Sequence, residues 1–133
     1  MSDAYDELTD EHRAAAGMLE RFTSSGDEAL ALEVADLLVS HATAEQRIVV
    51  PELRRFVDGG DDIADEAAPE LDALVTAATA VLGADQGDLA SLVERLRAEC
   101  VTHIERMEQA VFPAMREAGV DAAALARALD APD

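Results

Sequence analysis

The chain has 133 residues and a net charge of −19; half of it is apolar, and all ten basic residues are arginine. That length suits one domain spanning 1–133, large enough to bury a core without staples. So acidic a surface repels nucleic acid and anionic membranes, which excludes both as main partners, and a lone cysteine, Cys100, excludes an intrachain disulfide. The apolar half is mostly Ala, Leu and Val, with one Tyr and no Trp, a composition of helices rather than strands. The opening MSDAYDELTDEHR is acidic and has no apolar run, so no signal peptide is expected. A reducing cytoplasm is the expected compartment.

Ser2 or Asp3 can cap a first helix, whose apolar stripe reads Tyr5, Leu8, His12, Ala15, Leu19, Phe22. TSSGD at 23–27 is the expected turn. The second helix carries Leu30, Val34, Leu37, His41, Ala44 and Ile48 and runs past Pro51 with a kink into ELRRFV. DGGDD at 58–62 turns the chain again. The third helix shows Ile63, Ala67, Leu71, Leu74, Ala78 and Val81, with Pro69 expected to bend or separate its first turns. GADQGD at 83–88 follows, with Asp88 able to cap the fourth helix. That helix carries Leu89, Val93, Leu96, Cys100, His103, Met107, Ala110 and Ala114. After Gly119, Asp121 can cap a short last helix at 122–130. Four long amphipathic helices on short turns predict an all-α fold: an up-down-up-down antiparallel four-helix bundle with a short C-terminal helix.

The three histidines each sit mid-stripe. Counting from the shared turns at 1.5 Å per residue puts His12, His41 and His103 in one core layer, to within roughly one helical turn. Glu45 is at i+4 from His41 and so shares its face. A carboxylate in a dry core costs several kcal/mol unless it is paired or bound to a metal. A single core histidine usually just bonds a backbone carbonyl. Three in one layer beside Glu45 point to a metal site, with Glu108, at i+5 from His103, as a further candidate ligand. Cys100 and Met107 are expected to be core packing. The run Cys100, His103, Met107 on one face leaves a copper(I) variant as a minor possibility. No nucleophile–base pair and no phosphate loop is legible, so no catalytic residue is assigned and a binding role is favoured over catalysis.

HATAEQRIVVP (His41 to Pro51) and HIERMEQAVFP (His103 to Pro113) are one phrase used twice. With LTDEHRAAAGML around His12, they make the chain resemble the hemerythrin-like (HHE cation-binding) family over nearly its whole length. The resemblance implies a non-heme iron site. In the family, histidines of all four helices and two bridging carboxylates hold two irons. Here His12, His41, Glu45 and His103 match that pattern, with Glu108 next. Leu71 occupies the position of the family's helix-three histidine, and Met107 the i+4 carboxylate position of helix four, where Glu108, at i+5, could serve instead as in the oxygen-carrying hemerythrins. The expected cofactor is therefore iron in a mononuclear or altered di-iron site, and a nitrogen–oxygen set of this kind also tolerates zinc or manganese. The implied function is binding or sensing of a small diatomic molecule, such as oxygen or nitric oxide, or of metal ions. The alternative is a metal-free degenerate bundle acting as a structural or protein-interaction module.

Overall fold

The computed structural model describes residues 4–130, so the expected Ser2 or Asp3 cap lies outside the described residues. Helix α1 spans Ala4–Ser25 and α2 Glu28–Ala44; a π turn at Glu45–Val49 joins α2 to α3, Val50–Phe56. Helix α4 spans Gly60–Leu82, and a 3-10 turn at Gln86–Asp88 leads into α5, Leu89–Arg106. A second π turn, Met107–Val111, joins α5 to α6, Phe112–Glu117, and α7 covers Ala122–Asp130. No strand occurs among the described residues, and none of their helices is long and apolar enough to cross a membrane.

The turns are tighter than the sequence suggests. Helix α1 runs through Ser25, and only Gly26 and Asp27 separate it from α2. Gly26 takes a left-handed φ of +64°, and Asp27 caps α2 by accepting from Ala29 N at 3.0 Å. Gly59 and Gly60 both earn their place. Gly59 has φ +75°, and a Cβ on Gly60 would lie 2.0 Å from the carbonyl oxygen of Leu53, so only glycine lets α4 start against the end of α3. Asp121 caps α7 as expected, accepting from Ala123 N and Ala124 N. Asp88 occupies the cap position of α5, but its side chain makes no capping bond; the preceding 3-10 turn gives it helical backbone angles instead of the extended ones a cap needs.

Pro69 does not divide its helix, since α4 is continuous across it and Leu71 is fully buried. Pro51 and Pro113 are accommodated differently. Each follows a π turn in which an N–H bonds five residues back, Val50 to Glu45 and Phe112 to Met107. A proline ring would collide with the carbonyl four residues earlier in a regular helix, and the wide turn makes room. Each π turn also adds one residue to its circuit. Beyond His41 the buried positions are Ala42, Glu45, Val49, Val50 and Leu53, and beyond Met107 they are Val111, Phe112 and Met115. The expected Ala44, Ile48, Ala110 and Ala114 are only partly buried. In α2 the stripe is also turned toward small residues, with Ala31, Ala35 and Leu38 buried and Leu30 and Leu37 at the edge.

Helix α1 packs on α2 and α5, α2 on α4, and α4 on α5, so the long helices close a ring around one apolar cluster. Each leucine fully buried there contributes roughly 1.5–3 kcal/mol. Helix α7 lies against α1 and the first π turn. Arg106 ties α5 to α4 through Glu70, at 3.1 and 2.8 Å, and Glu66, at 2.9 Å.

Candidate metal centre

Four polar side chains interrupt this apolar cluster: His12, His41, Glu45 and His103, each at most 4% exposed. Helix α1 supplies His12, α2 supplies His41, the first residue of the first π turn is Glu45, and α5 supplies His103. Their donor atoms all lie within 4.8 Å of one another. His12 Nε2 is 3.0 Å from His41 Nε2 and 3.6 Å from Glu45 Oε1. His103 Nε2 is 3.3 Å from Glu45 Oε2, and His41 Nε2 contacts Glu45 Oε1. The three rings meet edge to face, with centroids 4.8 to 5.5 Å apart. Phe112 stacks on the face of His12 at 6.0 Å.

Close as these groups are, both oxygens of Glu45 and Nε2 of His103 are buried without a hydrogen bond of proper geometry among the described residues. Orphaned buried polar atoms are costly. A cation at their centre would satisfy them. Ligands at about 2.0–2.2 Å from one ion lie roughly 3–4 Å from each other, and His12 with His41, at 3.0 Å, His12 with Glu45, at 3.6 Å, and His103 with Glu45, at 3.3 Å, fall in that range. Three imidazoles and one carboxylate suit iron, zinc or manganese rather than a soft ion. Cys100 is buried but not among the converging donors, and Met107 is a buried core residue.

The electrostatics favour a positive charge at this centre. Burial pulls the His41 pKa down, but Glu45 and Glu11 outweigh it and push it up to about 10. Burial acts to raise Glu45, yet the facing His41 and His103 hold its carboxyl well below the usual carboxylate range.

Glu108 is not among the converging donors. It sits on the rim, one third exposed, with Oε2 3.2 Å from the outer nitrogen of His12, Nδ1. Glu11, which spacing did not single out, occupies the corresponding place for His41, its Oε2 accepting from Nδ1. The signal for Glu11 was faint: a carboxylate beside a core histidine reads as ordinary solvated surface. Leu71 and Met107 are fully buried and apolar.

A buried histidine–carboxylate cluster within an all-helical core is a donor set that could hold a cation. Residues 3–114 match the family of the hemerythrin HHE cation binding domain, and the chain belongs to that family. No curated protein matches the chain. No solved structure matches it either.

Proposed function

We propose that the chain is a single antiparallel up-down-up-down bundle that binds one non-heme metal ion, iron in the first instance, through His12, His41, Glu45 and His103. The observation that carries this is the convergence of four buried donors, with both oxygens of Glu45 and Nε2 of His103 left without a hydrogen bond among the described residues. Membership of a cation-binding family supports it. A bound ion would supply Lewis acidity and, in iron, a redox couple. The chain's own part is to hold the donors, exclude water and balance charge. Three imidazoles and one carboxylate leave coordination positions on iron unfilled by protein, which suits binding of a small diatomic molecule. The test is elemental analysis of untagged protein from iron-fed cells, with an optical spectrum. About one equivalent of metal in the wild type and near none in H41A is the expected result. Metal well below one equivalent, unchanged by H41A, would reject the proposal.

Leu71 and Met107 favour a second reading, in which the bundle is metal-free and serves as a structural or interaction module. Both pack fully in the core, as residues kept for stability would. A featureless near-ultraviolet spectrum from iron-replete protein would favour it.

A further inference from the structure

We propose that Glu11 and Glu108 are positioning residues that fix the tautomer and tilt of two metal-binding imidazoles, and that Glu108 is not itself a ligand. This rests on the cation-site reading above. In His12 and His41 the two ring nitrogens have divided tasks. Both Nε2 atoms face inward, 3.0 Å apart and toward Glu45. Both Nδ1 atoms face outward onto a carboxylate, Glu108 at 3.2 Å for His12 and Glu11 for His41. A ring that donates Nδ1–H to a carboxylate presents its Nε2 lone pair to the centre. Such outer carboxylates orient imidazole ligands and raise their basicity.

The clamps run between helices. Glu11 on α1 holds a ring of α2, and Glu108 in the second π turn holds a ring of α1. Glu108 meets His12 at Nδ1, across the ring from the nitrogen that faces Glu45, so it cannot join the inward set while it holds that contact. The repeat gives an independent reason. Superposing the two phrases sets Glu108 on Gln46, and Gln46 also turns away from the centre, donating to Asp72 Oδ1 at 2.7 Å. The backbone therefore directs this position outward in both copies. Phe112, stacked on the His12 face, completes the hold on that ring.

The test uses four variants of the full chain: E11A, E11Q, E108A and E108Q. Zinc affinity is read by chelator competition, and ring tautomers by long-range proton–nitrogen NMR on metal-free and zinc-loaded protein. The alanine variants should each weaken zinc binding about 10–100-fold at unchanged stoichiometry. Glutamine should restore most of the loss, because its carbonyl oxygen still accepts Nδ1–H. Equal losses for E108Q and E108A would mark Glu108 as a ligand and overturn the proposal. In the metal-free protein the His12 Nδ1–H signature should vanish in E108A and persist in E108Q. Its survival in E108A would also overturn the proposal. A wild type that takes up no zinc or iron defeats the cation-site reading, while the metal-free spectra still decide whether the clamps exist.

Discussion

The Nε2 atoms of His12 and His41 lie 3.0 Å apart in the dry centre of the protein, and both face Oε1 of Glu45. Two imidazole lone pairs this close repel unless something positive lies between them. A proton or a metal ion can fill that role, and the two should compete for it.

Metal uptake should therefore release protons. In the metal-free state His41 is pushed up to about 10, so at pH 7 an arriving cation displaces its proton. Apparent affinity should rise about tenfold per pH unit on account of this group. Calorimetry at pH 7 in buffers of different ionisation heat measures the release; heats independent of buffer would refute it. The stability of the metal-free protein follows the opposite course. A histidine pKa raised from 6.5 contributes in full below 6.5, and the contribution is lost as pH rises toward about 10. Glu45, lowered from 4.5, contributes above that value and loses its contribution as pH falls. Metal-free melting temperatures should peak between these limits.

Cys100 should be inert in the native state. Burial pushes its thiol from 9.0 up to about 11, which alone lowers the thiolate fraction about 100-fold at pH 8. Iodoacetamide should label the unfolded chain at least that much faster than the folded one. Comparable rates would mean that α5 opens readily around Cys100.

The wide turn before Pro113 should be separable from the rest of the fold. Deleting Gln109, which is exposed, would return the segment to regular helix and force the Pro113 ring against a carbonyl. A loss of about 3 kcal/mol is expected. Combining the deletion with P113A should recover most of it, because the faces on either side keep their register. Urea unfolding of the three variants checks this. A double variant as unstable as the deletion alone would show that the π turn is needed for more than housing a proline.

A second metal position should be restorable. Leu71 and Met107 are fully buried, and the continuity of α4 past Pro69 keeps Leu71 turned to the core. L71H and M107E should each lose roughly 1–3 kcal/mol without metal. The double variant should regain much of that with iron under reducing conditions and bind a second equivalent. Thermal melts with and without iron decide it. No extra stabilisation relative to the wild type would mean either that Leu71 is not the helix-three ligand position or that Glu108 already supplies the bridge.

The sequence carried the essentials of the centre because its histidines lie in regular helix and Glu45 comes before the first wide turn has shifted the count. His12, His41 and His103 fall in apolar stripes, and Glu45 sits one turn beyond His41. The stripes of α1, α4 and most of α5 were legible for the same reason. The stripe positions past His41 and Met107 were misplaced by one residue, because a count of three and four assumes an unbroken α-helix. The repeated proline was the visible mark of the wide turns. Glu11 escaped notice because its role lies across a helix interface, where spacing within one helix says nothing. The turns were read too long because polar residues such as Ser24 and Ser25 extend a helix as readily as they end it when the next residue is glycine.

The paired π turns bear on how such a centre can change over time. Glu45 opens the first turn and points inward, and Met107 opens the second and is buried just as deeply. Both turns set their first side chain in the core, a carboxylate in one and a thioether in the other. A carboxylate can thus be given up or regained there by changing one residue, with no change of helix path. In the second turn a thioether fills that core position, so the two copies of the repeat differ there in side chain and not in helix path.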